Sequence, residues 1–252
     1  MMSSRRESRE HGPVRMVFVP GFSQPPDVWD DVLAALEPLV VGLDAVALDV
    51  PDGADFADTA QALGAVGGPG VYIGYSMGGR LALRLALDRP DLVEGLVLVS
   101  ATPGIADIRE RAARAASDER LAEDVTRSGV EDFLTRWLAQ PLFATLPPER
   151  SKLDARATWA TPARLAHQMR SLGQGVMEPL WNRLAALDVP VLVVSGERDE
   201  RYCAIGDEIA RRVRGAEAVR LAGGHALPLE APDALAREIA RFSHHDSDAG
   251  EA

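Results

Sequence analysis

Six short apolar runs, separated by segments of helical periodicity, are the feature of this sequence that most limits its fold. The runs are MVFV (16–19), AVALDV (45–50), GVYIGYS (70–76), GLVLVS (95–100), PVLVVSG (190–196) and AVRLAG (218–223). Segments 27–36, 76–87, 207–213 and 232–242 carry apolar residues at helical spacing. Continuous apolar runs are typical of parallel strands buried on both faces, and their alternation with helices predicts a doubly wound α/β sheet.

One long stretch interrupts this alternation. Residues 103–182 contain no strand-like run and are rich in Arg, Glu and Ala at helical spacing. We therefore predict an α/β core over 13–102 and 183–242, with 103–182 inserted as a helical lid. The charged first residues, 1–12, are predicted to be a disordered leader, and 243–252 a flexible tail.

Charge and cysteine content exclude several classes of function. The 252-residue chain has a formal net charge of −11 and a single cysteine, Cys203. A negative charge opposes binding to nucleic acids and anionic membranes, so neither is expected as a partner. One cysteine cannot form an internal disulfide and fits a reducing compartment; no apolar run reaches the roughly 18 residues of a membrane span. We expect a cytoplasmic protein with a small-molecule substrate, no metal and no cofactor.

The segment GYSMG (74–78) has the pattern G-x-S-x-G between a predicted strand and a predicted helix. Glycines on both sides permit a turn too tight for side chains, and this turn exposes the hydroxyl of Ser76 at the carboxyl edge of the sheet. A glycine-rich turn that merely contains a serine is the alternative interpretation. The strand–turn–helix context favours Ser76 as the reactive group of a catalytic site.

A reactive serine needs a histidine to take its proton. Four of the five histidines lie in the predicted tails or in the helical insertion, whereas His225 follows a late strand at the required edge of the sheet. Asp199 and Glu197 both follow the strand at 190–196 and could orient the imidazole. We favour Asp199 for its position and expect a structural role for Glu197. The predicted triad is Ser76, Asp199 and His225.

Two backbone N–H groups are predicted to form an oxyanion hole beside the serine. One belongs to Met77, which follows the serine, and the other to Phe22, in the loop FVPGFSQPPDVW (18–29) after the first strand. Because both donors belong to the backbone, the hole depends on the path of the loop rather than on its side chains.

Together these motifs resemble the α/β-hydrolase superfamily over residues 14–242, with its nucleophile elbow and its chain order of serine, acid and histidine. Pro20 departs from the pattern, because many members have histidine at that point of the loop, and this leaves the shape of the pocket floor open. Four segments narrow the resemblance to the 2-succinyl-6-hydroxy-2,4-cyclohexadiene-1-carboxylate synthases of menaquinone biosynthesis. These are GYSMGGRLAL (74–83), ERAARAASDERLAEDV (110–125), FLTRWLAQPLFATLP (133–147) and SGERDERYCAI (195–205).

The narrower resemblance implies a lyase in which the activated serine removes a ring proton, so that an enolpyruvyl group leaves as pyruvate without an acyl-enzyme. By motif position it implies substrate-binding roles for Tyr75, Arg80, Arg114, Trp137 and Arg156. Guanidinium groups bind carboxylates as bidentate forks, which suits an anionic substrate with several carboxylates. Helical spacing also places Arg80 on the same helix face as Ser76. Alternative interpretations stay open for three of these residues. Arg114 and Arg156 could lie on a solvated helix face, and Trp137 could belong to the core of the lid.

A carboxylic-ester hydrolase with the same triad, acting through an acyl-serine intermediate, is the alternative function. Dehalogenases and epoxide hydrolases are less similar, because those chemistries go with aspartate at the position of Ser76. A non-catalytic binding protein on the same scaffold is opposed by the complete set of triad residues. The sequence leaves the oligomeric state open.

Overall fold

A computed structural model describes residues 14–249, so the predicted leader at 1–12 lies outside the described residues. Six strands form one sheet in the order β2-β1-β3-β4-β5-β6, and every pairing is parallel. This confirms the predicted α/β-hydrolase architecture. The strands are β1 (Val14–Val19), β2 (Leu43–Ala47), β3 (Gly70–Tyr75), β4 (Val93–Val99), β5 (Val191–Gly196) and β6 (Glu217–Leu221).

Burial of the strands follows their place in the sheet. Every residue of β3 and β5 is buried, whereas the edge strands β2 and β6 expose part of their side chains. Successive residues of β1 enter different cores: Val17 and Val19 pack on one face of the sheet, Met16 and Phe18 on the other. The central strands therefore have no polar face, which is why their sequences read as continuous apolar runs.

Ten α-helices surround the sheet in the described chain. They are α1 (Asp30–Leu36), α2 (Phe56–Gly67), α3 (Met77–Asp88), α4 (Ile108–Ser128), α5 (Val130–Leu138), α6 (Leu153–Trp159), α7 (Pro162–Leu172), α8 (Glu200–Arg212), α9 (Leu227–Glu230) and α10 (Pro232–Ala249). One core includes residues of α2, α3 and α8, and the opposite core residues of α1, α9 and α10. None of the described helices combines the length and apolar character needed to cross a membrane.

Helices α4 to α7 lie between β4 and β5, together with short 3-10 turns at Pro141–Phe143, Pro148–Arg150 and Trp181–Ala186. Phe133, Leu134, Leu165 and Met169 belong to a small core of this segment. Phe22, from the loop after β1, packs against that core and so joins the segment to the sheet. The segment thus has its own apolar interior above the carboxyl ends of the strands.

Helix α2 forms at 56–67, where the sequence pattern placed no helix. Helix α10 runs to Ala249, into the stretch 243–252 that the sequence predicts to be a flexible tail. Asp55 precedes the first residue of α2, and its carboxylate accepts hydrogen bonds from the backbone N–H groups of Ala57 and Asp58. Such a side chain satisfies the first free donors of a helix and fixes where it begins.

Candidate active site

The backbone of Ser76 is strained by its place between β3 and α3. Its φ and ψ angles are 51° and −105°, in a region that residues with a side chain rarely adopt. The neighbouring glycines are required by contact. A Cβ atom at Gly74 would lie 2.5 Å from the Cα of Gly79, and one at Gly78 would lie 2.3 Å from the carbonyl oxygen of Val19. Only glycine therefore fits at the positions on either side of this turn, and Ser76 lies at its tip.

Ser76, His225 and Asp199 form one hydrogen-bonded chain. The Nε2 atom of His225 lies 3.1 Å from the Oγ atom of Ser76, and its Nδ1 atom lies 2.8 Å from the Oδ2 atom of Asp199. The histidine is 2% exposed and the aspartate 8%, so bulk water does not compete for these bonds. Glu197 is exposed and does not take part. This arrangement can take a proton from the serine and stabilise the imidazolium that results.

A second carboxylate, which the sequence reasoning missed, holds the loop that carries the histidine. Glu230 accepts hydrogen bonds from the N–H of Gly224 (2.8 Å) and the N–H of Ala226 (3.0 Å), the residues on either side of His225. Its side chain is 3% exposed. The only signal in the sequence is an acidic residue five positions after the histidine, in HALPLE. The position of the imidazole therefore depends on Glu230 as well as on Asp199.

Phe22 and Met77, the predicted oxyanion-hole donors, line the same cavity as Ser76. Met77 is the first residue of α3, and Phe22 lies in a turn that is closed by a bond from the N–H of Gly21 to the Oε1 atom of Gln24. Neither the Phe22 nor the Met77 N–H donates to a protein acceptor within residues 14–249. The two N–H groups are thus available to an oxygen of a ligand.

A cavity of about 240 Å³ opens over the serine. The five side chains that the resemblance assigned to substrate binding all line it: Tyr75, Arg80, Arg114, Trp137 and Arg156. Burial raises the pKa of Tyr75 above its usual range, so its phenol stays neutral. Trp137 also packs on Phe22 and Phe133, and so contacts the small core of the segment between β4 and β5 as well as lining the cavity wall.

Two buried arginines of the cavity have no carboxylate partner among the described residues. Arg80 donates from Nη1 to the carbonyl oxygen of Leu172 (2.7 Å), and Arg156 donates from Nη1 to the Oγ atom of Ser23 (3.1 Å). The Nη2 atom of Arg156 is buried without any hydrogen-bond partner. Burial lowers the pKa of each guanidinium to about 10, so both are charged at neutral pH. Buried charges of this kind favour an anion as the missing partner.

The other cations of the cavity are arranged differently. Arg114 is half-buried and donates from Nε to the Oδ1 atom of Asp118 (2.7 Å), a carboxylate that also lines the cavity. Arg201, which the sequence reasoning missed, lines the cavity from the exposed start of α8. Cations outnumber carboxylates along the wall, although the whole chain carries a net charge of −11. In residues 14–249, no three His, Cys, Asp or Glu side chains cluster so as to hold a metal ion.

Comparison with known proteins agrees with this geometry. The chain matches the alpha/beta hydrolase family over residues 16–238. A parallel sheet with a serine elbow, a histidine and an acid at its carboxyl edge defines the class: the chain is an α/β hydrolase in fold.

Within this class the sequence relatives are more specific. The chain is 31% identical to the 2-succinyl-6-hydroxy-2,4-cyclohexadiene-1-carboxylate synthase of Enterobacter sp. (strain 638), over 90% of each chain. It is 36% identical to the putative synthase of the same name from Bacillus subtilis, over 68% of this chain and 64% of that protein. The chain belongs to this synthase family.

Solved structures show the same fold. MenH from S. aureus covers 96% of this chain, and 97% of its own length is matched, at a TM-score of 0.87 and 24% identity. A thermophilic esterase from Thermogutta terrifontis covers 93% of this chain, with 91% of its own length matched, at a TM-score of 0.73 and 21% identity. At these identities the similarity concerns the architecture and not the chemistry.

Proposed function

We propose that the protein is a lyase of menaquinone biosynthesis that eliminates pyruvate from an anionic cyclohexene substrate and forms 2-succinyl-6-hydroxy-2,4-cyclohexadiene-1-carboxylate. The observation that carries the proposal is the pair of buried, unbalanced cations, Arg80 and Arg156, in the cavity of the triad. The product that names the relatives has two carboxylates, one on the ring and one on the succinyl group. Each can form charge-assisted hydrogen bonds with a guanidinium. The single cysteine of the chain, a free buried thiol, supports the cytoplasm as the compartment.

The reaction begins with proton transfer. His225 takes the proton of the Ser76 hydroxyl through Nε2, and Asp199 stabilises the imidazolium. The serine oxygen then removes a ring proton. In the product, the succinyl group is attached to a carbon of the diene, so the carbon that loses the proton lies next to the succinyl ketone. Negative charge develops on the oxygen of that ketone, where the N–H groups of Phe22 and Met77 can donate to it.

The elimination is completed by cleavage of the bond between the ring carbon and the enolpyruvyl oxygen. The electron pair of the broken C–H bond becomes part of the second ring double bond, and the electrons of the C–O bond leave with the enolate of pyruvate. A proton returned from the imidazolium or from solvent gives pyruvate. No acyl-serine forms and no redox partner is required, so the residues of the cavity supply every group that the reaction needs.

The carboxylic-ester hydrolase is the second candidate, because the triad and the two free N–H groups would also serve an acyl transfer. Leu121, Leu142, Phe143 and Met169 add apolar surface to the cavity wall. An ester hydrolase gives no reason, however, for two buried guanidinium groups without carboxylate partners beside the serine. The arginines favour the lyase.

Release of pyruvate from the enolpyruvyl substrate, prepared in situ and detected by lactate dehydrogenase, tests the proposal. We expect the unmodified protein to release one pyruvate for each diene formed, and Ser76→Ala to be slower by a factor on the order of 10⁴ or more, as for other triads. Asp233→Asn is the control, because Asp233 is exposed in the first turn of α10. This variant should release pyruvate at the rate of the unmodified protein. Hydrolysis of simple esters without any release of pyruvate would contradict the lyase.

A further inference from the structure

A pair of neutral polar side chains in the cavity has no role in the chemistry above. Gln174 follows α7, and Tyr202 lies in α8; both line the cavity and are 8% and 5% exposed. The Nε2 atom of Gln174 donates to the hydroxyl oxygen of Tyr202 at 3.3 Å. The Oε1 atom of Gln174 is buried without a hydrogen-bond partner. A buried amide oxygen without a donor costs free energy, so a ligand that supplies a donor is favoured at this point.

The hydrogen-bonding capacity of this pair is independent of how the amide is turned. With Nε2 directed at the tyrosine, the amide oxygen is a free acceptor and the phenol O–H is a free donor. With the amide reversed, Nε2 is the free donor and the phenol oxygen is the free acceptor. In both cases the pair keeps at least one donor and one acceptor without a protein partner, and both residues line the cavity. An uncharged hydroxyl, which both donates and accepts, complements such a pair.

Gln174 and Tyr202 differ from the charged residues of the cavity in the groups that they can bind. The ring of Tyr202 lies 4.6 Å from the ring of His225, and Arg80 is fixed by the carbonyl oxygen of Leu172, two residues before Gln174. Arginine side chains carry donors only, so they cannot accept the proton of a hydroxyl. Asp118 accepts from Arg114 through Oδ1 and from the N–H of Gly175 through Oδ2 (3.4 Å), so each of its oxygens already has a donor. Gln174 and Tyr202 are therefore the neutral recognition element between the imidazole and the Arg80 guanidinium.

We propose that Gln174 and Tyr202 bind the ring hydroxyl of the substrate and make the protein selective for hydroxylated over deoxygenated ring diacids. This inference rests on the proposed function, because it takes its ligand from the product of that reaction. At neutral pH the hydroxyl is the one hydrogen-bond donor of the product, since its carboxylates and its ketone can only accept. An orphaned acceptor beside a phenol matches that group and no other part of the molecule.

Two ligands that differ at the hydroxyl test this assignment. One is the hydroxylated diene itself, and the other is 2-succinylbenzoate, the aromatic diacid formed when the diene loses water. Both keep the ring carboxylate and the succinyl group. We expect the unmodified protein to bind the hydroxylated diene about 10–100-fold more tightly, since sites built to hydrogen-bond a hydroxyl reject analogues that lack it. Calorimetric titration of the two diacids gives this ratio directly.

Two variants remove the recognition element in different ways. Gln174→Leu keeps the approximate shape of the side chain without its amide, and Tyr202→Phe keeps the ring against His225 without its hydroxyl. We expect each to bring the affinity ratio to within about 3-fold of unity while the affinity for 2-succinylbenzoate stays unchanged, which also shows that the variants are folded. Gln168→Leu is the competing variant, because the Oε1 atom of Gln168 is also buried without a partner in the wall of the same cavity. Unlike Gln174, Gln168 has no hydrogen bond to Tyr202. This variant should keep the preference.

The outcomes separate this inference from the proposed function. Equal affinity of the unmodified protein for both diacids, or an unchanged preference in Gln174→Leu, would overturn the inference and leave the lyase intact. Loss of the preference in Gln168→Leu but not in Gln174→Leu would overturn the choice of residue. Failure of the unmodified protein to bind either diacid would contradict the proposed function itself.

Discussion

Replacing Glu230 should destabilise the protein and slow its chemistry at the same time. The carboxylate accepts the N–H groups of Gly224 and Ala226, and its side chain is 3% exposed. In Glu230→Ala both N–H groups lose their acceptor inside the protein. A buried donor left without a partner costs about 1–3 kcal/mol, so the expected loss is about 2–6 kcal/mol in the free energy of unfolding. For a chain of this length that corresponds to a fall of roughly 5–20 °C in the melting temperature.

The catalytic effect follows from the position of these two amides on either side of His225. Without the carboxylate, the loop is free to move the imidazole away from Ser76, so kcat should fall by more than KM rises. Glu230→Gln retains one amide oxygen that can accept one of the two N–H groups, and it should lie between the unmodified protein and Glu230→Ala in both properties.

Thermal unfolding followed by circular dichroism, with pyruvate release at saturating substrate, measures both effects. Glu197→Ala is the control, because this glutamate is exposed and follows β5 directly, outside the loop that Glu230 holds. It should change neither property. A melting temperature for Glu230→Ala within about 2 °C of the unmodified protein, or an unchanged kcat, would refute the reasoning, because the variant loses both hydrogen bonds of a side chain that is 3% exposed.

Two further predictions concern charge and the elbow. Because burial lowers the pKa of Arg80 and Arg156 to about 10, their charge is complete at pH 8 and is lost as the pH rises through 10. KM for the multi-carboxylate substrate should therefore rise steeply above pH 10 while KM for a neutral ester stays flat, and parallel profiles for the two substrates would exclude these arginines as carboxylate ligands. Gly78→Ala should lower the free energy of unfolding by about 1–3 kcal/mol or more in urea denaturation, because its Cβ would lie 2.3 Å from the carbonyl oxygen of Val19. Gly215→Ala is the comparison, because its φ is positive (75°) but a Cβ there has nothing within 4 Å. It should cost only the roughly 1–2 kcal/mol of the positive φ, and equal losses in the two variants would show that the contact with Val19 does not destabilise Gly78→Ala.

The fold class was predictable because the central strands are buried on both faces, so each appears in the sequence as a continuous run of apolar residues. Helix α2 was not, because its glycines weaken the helical pattern. Gly64 brings α2 close to α3, since a Cβ there would lie 2.6 Å from a side-chain carbon of Leu85. The start of α8 was also missed by several residues: the helix begins at Glu200, where Asp199 accepts from the N–H of Tyr202 and so serves the helix as well as the histidine.

In the candidate site, too, some residues could be predicted from the sequence and others could not. Ser76, Asp199 and His225 could be selected from the sequence because each follows a strand, and parallel strands end at one edge of the sheet. Gln174 and Glu230 carry no such signal. Their roles depend on contacts between distant parts of the chain, such as the bond from Gln174 to Tyr202, and on burial, which only the packed structure shows.

The most direct test of the lyase and its arginines compares two activities in one variant, Arg80→Ala. Loss of one buried carboxylate contact should lower kcat/KM for pyruvate elimination by about 30–1000-fold, equivalent to roughly 2–4 kcal/mol of transition-state binding. Hydrolysis of p-nitrophenyl acetate, which has no carboxylate, should stay within about 3-fold of the unmodified protein and shows that the triad is intact. Arg127→Ala, an exposed change on α4, should alter neither activity. Equal losses of both activities in Arg80→Ala, or no release of pyruvate by the unmodified protein, would contradict the account.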